Sequence, residues 1–354
     1  MANAGSSSVK LSLLDGDDTE LWRRELDAPR SVVEPGAVAQ ALAELPEAPA
    51  AVGHRIVHGG ARFRSAVRLD AEVLSALRDL TVLAPLHQPK SLAAVEAVSQ
   101  ALPDVPEVAC FDTAFHASLP PAAATYALPR EWRERYRVRR FGFHGLSHAY
   151  AAGRVLQLAP DAHRIVTCHL GAGASLCAVL DGRSIDTTMG FTPLEGLVMA
   201  TRSGSVDPGL LLWLQEQAAL TPQRMADALE HESGLVGLAG TPDMRELAGR
   251  DDPDARLAFD VYLHHLRAGI GAMAAALDGL DALVFTGGVG EGSARVRQVA
   301  CEGLSHLGVD IDGRRNEAVH GATDITGATS RIAVLVIRAR EDVEIARQAR
   351  AVVV

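Results

Sequence analysis

Two arginines stand where an unpaired charge is costly. Arg55 lies inside Val52–Gly60 (VGHRIVHGG) and Arg202 inside Met199–Gly204 (MATRSG). A guanidinium among apolar and small residues needs an anionic partner. For one such arginine a structural ion pair is the commoner explanation. Two of them raise the odds of a bidentate clamp on phosphate or carboxylate. Two carboxylates stand nearby in kind: Asp112 ends the apolar run Glu107–Phe111, and Glu341 follows Ile332–Ile337. Strand carboxyl ends are where α/β enzymes place metal ligands and catalytic groups, although either residue could instead cap a helix. Phe141–His148 (FGFHGLSH) adds His144 and His148, spaced i, i+4. The stretch lacks the Glu of a zinc-binding helix, and Gly145 weakens a helix there. A histidine donating to phosphate is therefore preferred over a zinc pair.

Three small-residue loops could hold phosphate. They are Asn3–Ser8 (NAGSSS, followed by Val9 and Lys10), His169–Ser175 (HLGAGAS) and Thr286–Ser293 (TGGVGEGS). Phosphate needs many N–H and O–H donors at close range, which bulky side chains obstruct. The first loop reads equally as a linker-like Ser-rich start, and the second, whose lone G-x-G is a weak signal, also as a plain hairpin turn. In the third, an apolar strand, a Gly-rich loop and a helix-compatible stretch coincide, which makes it the best nucleotide candidate. It lacks the Gly-Lys-Ser/Thr ending of a Walker loop. It also lacks the remainder of a dinucleotide fingerprint, which disfavours a dehydrogenase.

These residues need a scaffold, and the pattern supplies strands alternating with helices. Strands are expected over Val9–Leu14, Ala51–His58, Glu107–Phe111, Ile165–Leu170, Ala174–Leu180, Ala282–Thr286 and Ile332–Ile337. Asp181-Gly182 marks a hairpin. Helices are expected over Glu72–Leu80, Ser91–Ala101 and Asp260–Leu280, after the cap Thr221-Pro222, and from Glu341. This is an α/β chain. Its 354 residues suffice for two domains, and its 48% hydrophobic content can bury real cores. A net charge of −10 argues against a nucleic-acid surface. The cysteines, Cys110, Cys168, Cys177 and Cys301, form no C-x-x-C pair and read as buried free thiols. No signal peptide and no apolar run of membrane-spanning length is visible, so a cytoplasmic enzyme with no membrane partner is expected.

The motifs together resemble acetate kinase. They are Asn3–Ser8, Gly53–Gly60 (GHRIVHGG), Ala84–Pro89 (APLHQP), Phe111–His116 (FDTAFH), Tyr126–Pro129 (YALP), Phe141–His148, Cys168–Ser175 (CHLGAGAS), Asp186–Gly204 (DTTMGFTPLEGLVMATRSG) and Phe285–Ser293 (FTGGVGEGS). The resemblance implies the α/β fold of the acetate and sugar kinase, heat-shock ATPase and actin superfamily. That fold has two ribonuclease-H-like domains flanking a nucleotide cleft, here 1–111 plus 342–354, and 112–341. It further implies a homodimer, ATP or ADP as co-substrate, and Mg2+ (or Mn2+).

The resemblance also implies roles. Asn3, Ser6, Ser8 and Lys10 would lie near the phosphoryl groups. Arg55 and Arg202 would clamp carboxylate and the transferring phosphoryl, with a hydrogen bond from His144 and with His87 close by. Asp112 and Glu341 would serve the metal, Asn3 beside them. Val57, Leu86, Phe143 and Pro193 would enclose the acyl methyl. Asp243, Met244 and Arg245 would meet the adenosine, alongside His169, Gly171, Ala172, Gly173 and the run Gly288, Val289, Gly290, Glu291, Gly292. The reaction implied is in-line transfer from ATP to acetate. Propionate or another short acid is the alternative acceptor, and a catalytically silent nucleotide-binding regulator the alternative class.

Three departures stand out. Ala172 and Gly292 occupy positions where the family usually has Asn, implying weaker nucleotide contacts. Ala339-Arg340 replaces the family's Thr-Asn before Glu341. Only Met1-Ala2 precede Asn3, where the family carries an apolar strand, which implies a clipped central strand.

Overall fold

The computed structural model describes residues 1–5, 8–27, 34–85 and 87–353. Ser6 and Leu86 lie outside the described residues. The chain divides into two compact units, Met1–Ala117 with Phe143–Tyr150 and Arg340–Val354, and Ser118–Gly142 with Ala151–Ala339.

The first unit is built on a six-stranded sheet. Its strands are β1 (Ala2–Ala4), β2 (Ser8–Leu14), β3 (Glu20–Asp27), β4 (Val52–Ile56), β5 (Val67–Arg68) and β6 (Glu107–Phe111), in the order β3-β2-β1-β4-β6-β5. β1, β4 and β6 run parallel and the other neighbours antiparallel. Side chains alternate between faces, so the sequence sorts itself. Ala2, Ala4, Val9, Leu11 and Val52 pack into a core with Val38 and with Ala94, Ala97 and Val98 of the Gln88–Ala101 helix. The opposite face carries Asn3 and Lys10, which are register partners, together with Arg55 opposite Cys110, and then Asp112. Val108 and Cys110 of that face pack under Ile345 and Ala349 of the Glu341–Val353 helix. One alternation thus gives a core on one face and the charged residues on the other.

Unit two repeats the plan. β7 (Arg164–Leu170), β8 (Ala174–Leu180), β9 (Arg183–Thr187), β10 (Ala282–Thr286), β11 (Thr323–Asp324) and β12 (Ala333–Val336) run in the order β11-β12-β10-β7-β8-β9. β7, β10 and β12 are parallel. All five residues of β10 are buried, as befits a parallel strand covered on both faces. The long helix Pro253–Ala276 leads toward β10. It begins where Asp252 accepts a hydrogen bond from the Ala255 N–H, seven residues before the expected start.

The central strand is short: β1 spans Ala2–Ala4, pairs with β2 along its length and meets β4 only through Ala2. A cavity of about 470 Å3 lies beside Met1 and Ala2, lined also by Leu13, Val52 and Val98. In addition, Gly287–Gly292 is no loop. It is a short helix that follows β10 directly, after a turn at Gly287 with φ of +80°.

Gly53 lies under the Glu341–Val353 helix. A Cβ there would sit 2.5 Å from Ile345 Cγ2 and 3.3 Å from Ala349 Cβ. Gly53→Ala is expected to destabilise the protein by about 1–3 kcal/mol through overpacking. An unchanged urea midpoint would show that the helix shifts aside freely.

Candidate active site

Arg55 is the hub of the charged face. Its Nε donates to both Asp112 oxygens at 3.1 Å, and Nη2 donates to Asp112 Oδ2 at 2.7 Å. Nη1 donates to Asn3 Oδ1 at 3.2 Å and lies 3.8 Å from Glu341 Oε2. Asn3 closes the ring by donating from Nδ2 to Glu341 Oε2 at 3.0 Å. Asp112 is 1% exposed. Burial pushes its carboxyl above the usual range, against the pull of Arg55, and the Glu341 charge pushes the same way. Burial alone would lower the Arg55 pKa, but Asp112 and Glu341 more than reverse that and hold the guanidinium charged.

The cluster also suits a cation. Two carboxylates and an amide oxygen form an oxygen-only donor set, hard enough for Mg2+, which commonly takes one or two carboxylates plus phosphate and water. Among the described residues no three His, Cys, Asp or Glu side chains form a metal cage. Ser8 and Lys10 are engaged elsewhere: Ser8 Oγ donates to Glu25 at 2.6 Å, and Lys10 lies 3.9 Å from the same carboxylate.

The backbone of Asp112 ties the next segment to this cluster. Its N–H donates to Ile56 O at 3.0 Å, and its carbonyl accepts from the Gly145 N–H at 2.9 Å. A Cβ on Gly145 would fall 2.2 Å from that carbonyl, so only glycine permits the approach. His144, just before it, sits at φ of +56°, a left-handed conformation uncommon for a non-glycine residue. His116 Nε2 donates to the Phe143 carbonyl at 2.9 Å. Phe143 meets His58 edge-on at 5.4 Å. Val57 is buried, and His87 precedes the Gln88–Ala101 helix at its cap.

In the second unit, Arg202 has found a carboxylate. Its Nε lies 3.0 Å from Glu230 Oε2, and Nη1 donates to the Pro193 carbonyl at 3.3 Å. Burial lowers its pKa, opposed by Glu230. His169 and Ser175 are register partners across the β7–β8 turn, within which the Gly171 N–H donates to Gly173 O at 3.0 Å. Ala172 accepts from the Ala200 N–H at 3.1 Å. Asp243 caps the Met244–Gly249 helix and pairs with exposed Arg245 at 3.0 Å; Met244 is buried.

Glycines are poor helix formers, so the Gly287–Gly292 helix needs bracing. Glu291 Oε1 accepts from the N–H groups of Gly287 (2.9 Å) and Ala339 (2.8 Å). Buried Arg297 donates from Nη1 to the carbonyls of Gly290 (2.8 Å) and Glu291 (2.7 Å), and from Nε to Asn316 Oδ1 (2.7 Å). The side chain of Glu291 thus faces its own backbone. Gly288 and Gly292 have open space where a Cβ would stand. Arg297, Asn316 and Glu230 escape a reading by motifs, because their partners lie 6 to 28 residues away in sequence.

Fold and family together define an α/β kinase. The chain belongs to the acetokinase family, whose model matches residues 33–347. It is 46% identical to the acetate kinase of Deinococcus deserti, over 99% of this chain and 96% of that protein. The crystal structure of Porphyromonas gingivalis acetate kinase superposes with a TM-score of 0.90 at 34% identity, covering 100% of this chain and 98% of that one. A propionate kinase from Francisella tularensis subsp. tularensis also gives 0.90, at 32% identity, covering 99% and 98%.

His58 and His116 carry a pH signature. Burial lowers both pKa values to about 4, in His116 against the bond to Phe143. The unfolded chain takes up these protons near pH 6.5, whereas the folded chain does not. Acidification from 6.5 to 4 therefore favours unfolding, by about 3 kcal/mol per imidazole at the lower limit. His116→Gln keeps an N–H for the Phe143 carbonyl and is expected to lose clearly less stability than wild type between pH 7 and 4.5. Equal losses in urea titrations would contradict this.

Proposed function

We infer that the chain transfers the γ-phosphoryl group of ATP reversibly to acetate, giving acetyl phosphate and ADP. The observation that carries this reading is the Arg55–Asp112–Asn3–Glu341 cluster, built on the buried Asp112 and set in a member of the acetokinase family. A carboxylate is already a nucleophile, so no general base is needed. Its oxygen attacks phosphorus in line and the bond to ADP breaks, with no covalent enzyme intermediate. The transition state spreads negative charge over the equatorial oxygens, and catalysis is positioning plus charge stabilisation.

Arg55 suits that task. Asp112 fixes the plane of the guanidinium through Nε and Nη2, leaving Nη1, with its longer contacts, to donate to a substrate oxygen. Asp112 and Glu341, with the Asn3 amide oxygen, are the groups to hold Mg2+ (or Mn2+), which when bound neutralises phosphate charge. His144, carried on the segment fixed by Asp112 and His116, donates to the phosphoryl group. Arg202 meets the carboxylate or phosphoryl group of the substrate, and Val57, Phe143 and Pro193 shape the site for the methyl group. His169, the Gly171–Gly173 turn, Asp243, Met244, Arg245 and the Gly288–Gly292 helix are assigned to the nucleotide.

A homodimer is part of the reading. The Pro208–Gln217 helix has no buried residue and exposes Leu210, Leu212 and Trp213, a face suited to a second copy. A cytoplasmic setting agrees with the four free, buried thiols. Propionate is the second acceptor to consider, given the likeness to a propionate kinase. One methylene discriminates by only about 10–200-fold.

Trapping acyl phosphate as the hydroxamate tests the assignment, with ATP, Mg2+ and acetate, propionate or butyrate. The expected order of kcat/KM is acetate, then propionate, then butyrate. Protein that binds ATP yet forms no hydroxamate from any acid would rule the reading out.

A further inference from the structure

The segment that carries Pro193 is held by a half-buried polar brace. Tyr126 Oη donates to Glu195 Oε2 at 2.5 Å and accepts from the Phe191 N–H at 2.8 Å. Arg140 Nη2 donates to Glu195 Oε1 at 2.7 Å. Arg140 Nη1 donates to three successive carbonyls, those of Thr187 (3.2 Å), Thr188 (3.1 Å) and Met189 (3.0 Å). The Arg140 guanidinium also lies 5.6 Å from the Tyr126 ring centre. Gly190 sits inside the brace. A Cβ there would fall 1.7 Å from Glu195 Oε2 and 2.2 Å from Tyr126 Oη, so the strand end is clamped against the two side chains.

The brace therefore fixes both ends of a short segment. Phe191 hangs from Tyr126, and Glu195 is gripped by Tyr126 and Arg140. Thr192, Pro193 and Leu194 span the gap between. The Pro193 carbonyl is in turn a hydrogen-bond acceptor for Arg202. Moving Glu195 by even half an ångström would shift the Pro193 ring and an Arg202 partner together.

We propose that Tyr126, Glu195 and Arg140 are positioning residues for the acceptor site, setting carboxylate affinity through Pro193 and Arg202. This rests on the reading of Pro193 and Arg202 as acceptor-site residues. The three act through that segment, and none of them is assigned to the substrate itself. Loss of the Tyr126 hydroxyl leaves the Phe191 N–H without its acceptor and Glu195 held by Arg140 alone. Loss of the Glu195 charge loosens Arg140 from the segment. Hydrogen bonds to charged groups are the strong ones, and small displacements of positioning groups have large effects on a site.

The test is steady-state kinetics of Tyr126→Phe, Glu195→Gln and Arg140→Lys, varying carboxylate and ATP separately, with thermal unfolding alongside. The expected result is a carboxylate KM raised about ten-fold, the equivalent of one weakened charged hydrogen bond. The ATP KM should stay within about two-fold by the same reasoning, and the acetate-to-propionate ratio of kcat/KM should change. A merely structural role would lower the active fraction, and so kcat, while leaving both KM values alone. Unchanged KM values, or carboxylate and ATP KM rising in parallel, would overturn the proposal. Wild-type hydroxamate formation is the control. Without it the assignment of function fails, and with it only the brace is on trial.

Discussion

A guanidinium and a carboxylate taken out of water together are what the first unit is organised around. Asp112 is almost wholly buried, and Arg55 spends three hydrogen-bond contacts on it. Such a pair is weak as a source of stability, because desolvation offsets most of the Coulomb attraction. Its cost is understandable where charge must be ready for a reaction. The sheet makes the pair possible: Arg55 and Cys110 are register partners on parallel β4 and β6, and Asp112 follows on the face of Cys110. Asn3 on β1 and Glu341 at the start of the last helix reach the same point. Remove any one strand and the cluster loses a member.

The same sheet order recurs in the second unit, a three-stranded antiparallel meander followed by two parallel strands and a short antiparallel edge. In both, the first two strands are followed or preceded by small residues that hydrogen-bond back on the chain: the Gly5 N–H donates to Ser8 O in one, the Gly171 N–H to Gly173 O in the other. Asn3 of the Arg55 cluster lies two residues before Gly5, and the Gly171 turn adjoins the Gly287–Gly292 helix, where a Gly171 Cβ would lie 3.9 Å from the Gly288 nitrogen. One scaffold thus serves two sets of residues with different chemistry.

Much of this was legible in the residues. The apolar runs at Glu107–Phe111 and Ala282–Thr286 form strands over just those spans, because continuous burial leaves little doubt about period. Arg55 was conspicuous because its neighbours are apolar, and its partner Asp112 because it ends a strand. β3 was invisible: Glu20–Asp27 (ELWRRELD) is a charged edge strand with mostly exposed side chains, so no alternation marks it. The Gly287–Gly292 helix was read as a loop, since its stability comes from Glu291 and Arg297 and not from propensity. The Tyr126–Glu195–Arg140 brace joins residues 14 to 69 positions apart, a distance that sequence periodicity does not span.

Arg55, held by Asp112 through Nε and Nη2, presents Nη1 to the transferring phosphoryl group. The most direct measurement is kcat for acyl phosphate formation by Arg55→Lys, with circular dichroism and thermal unfolding confirming the fold. Lysine keeps the charge against Asp112 and Glu341 but cannot present two donors in one plane. The expected result is a fall of ~3 orders of magnitude in kcat, the scale of an arginine acting on a phosphoryl transition state, with the ATP KM little changed. A folded Arg55→Lys protein that keeps kcat within a few-fold of wild type would contradict it.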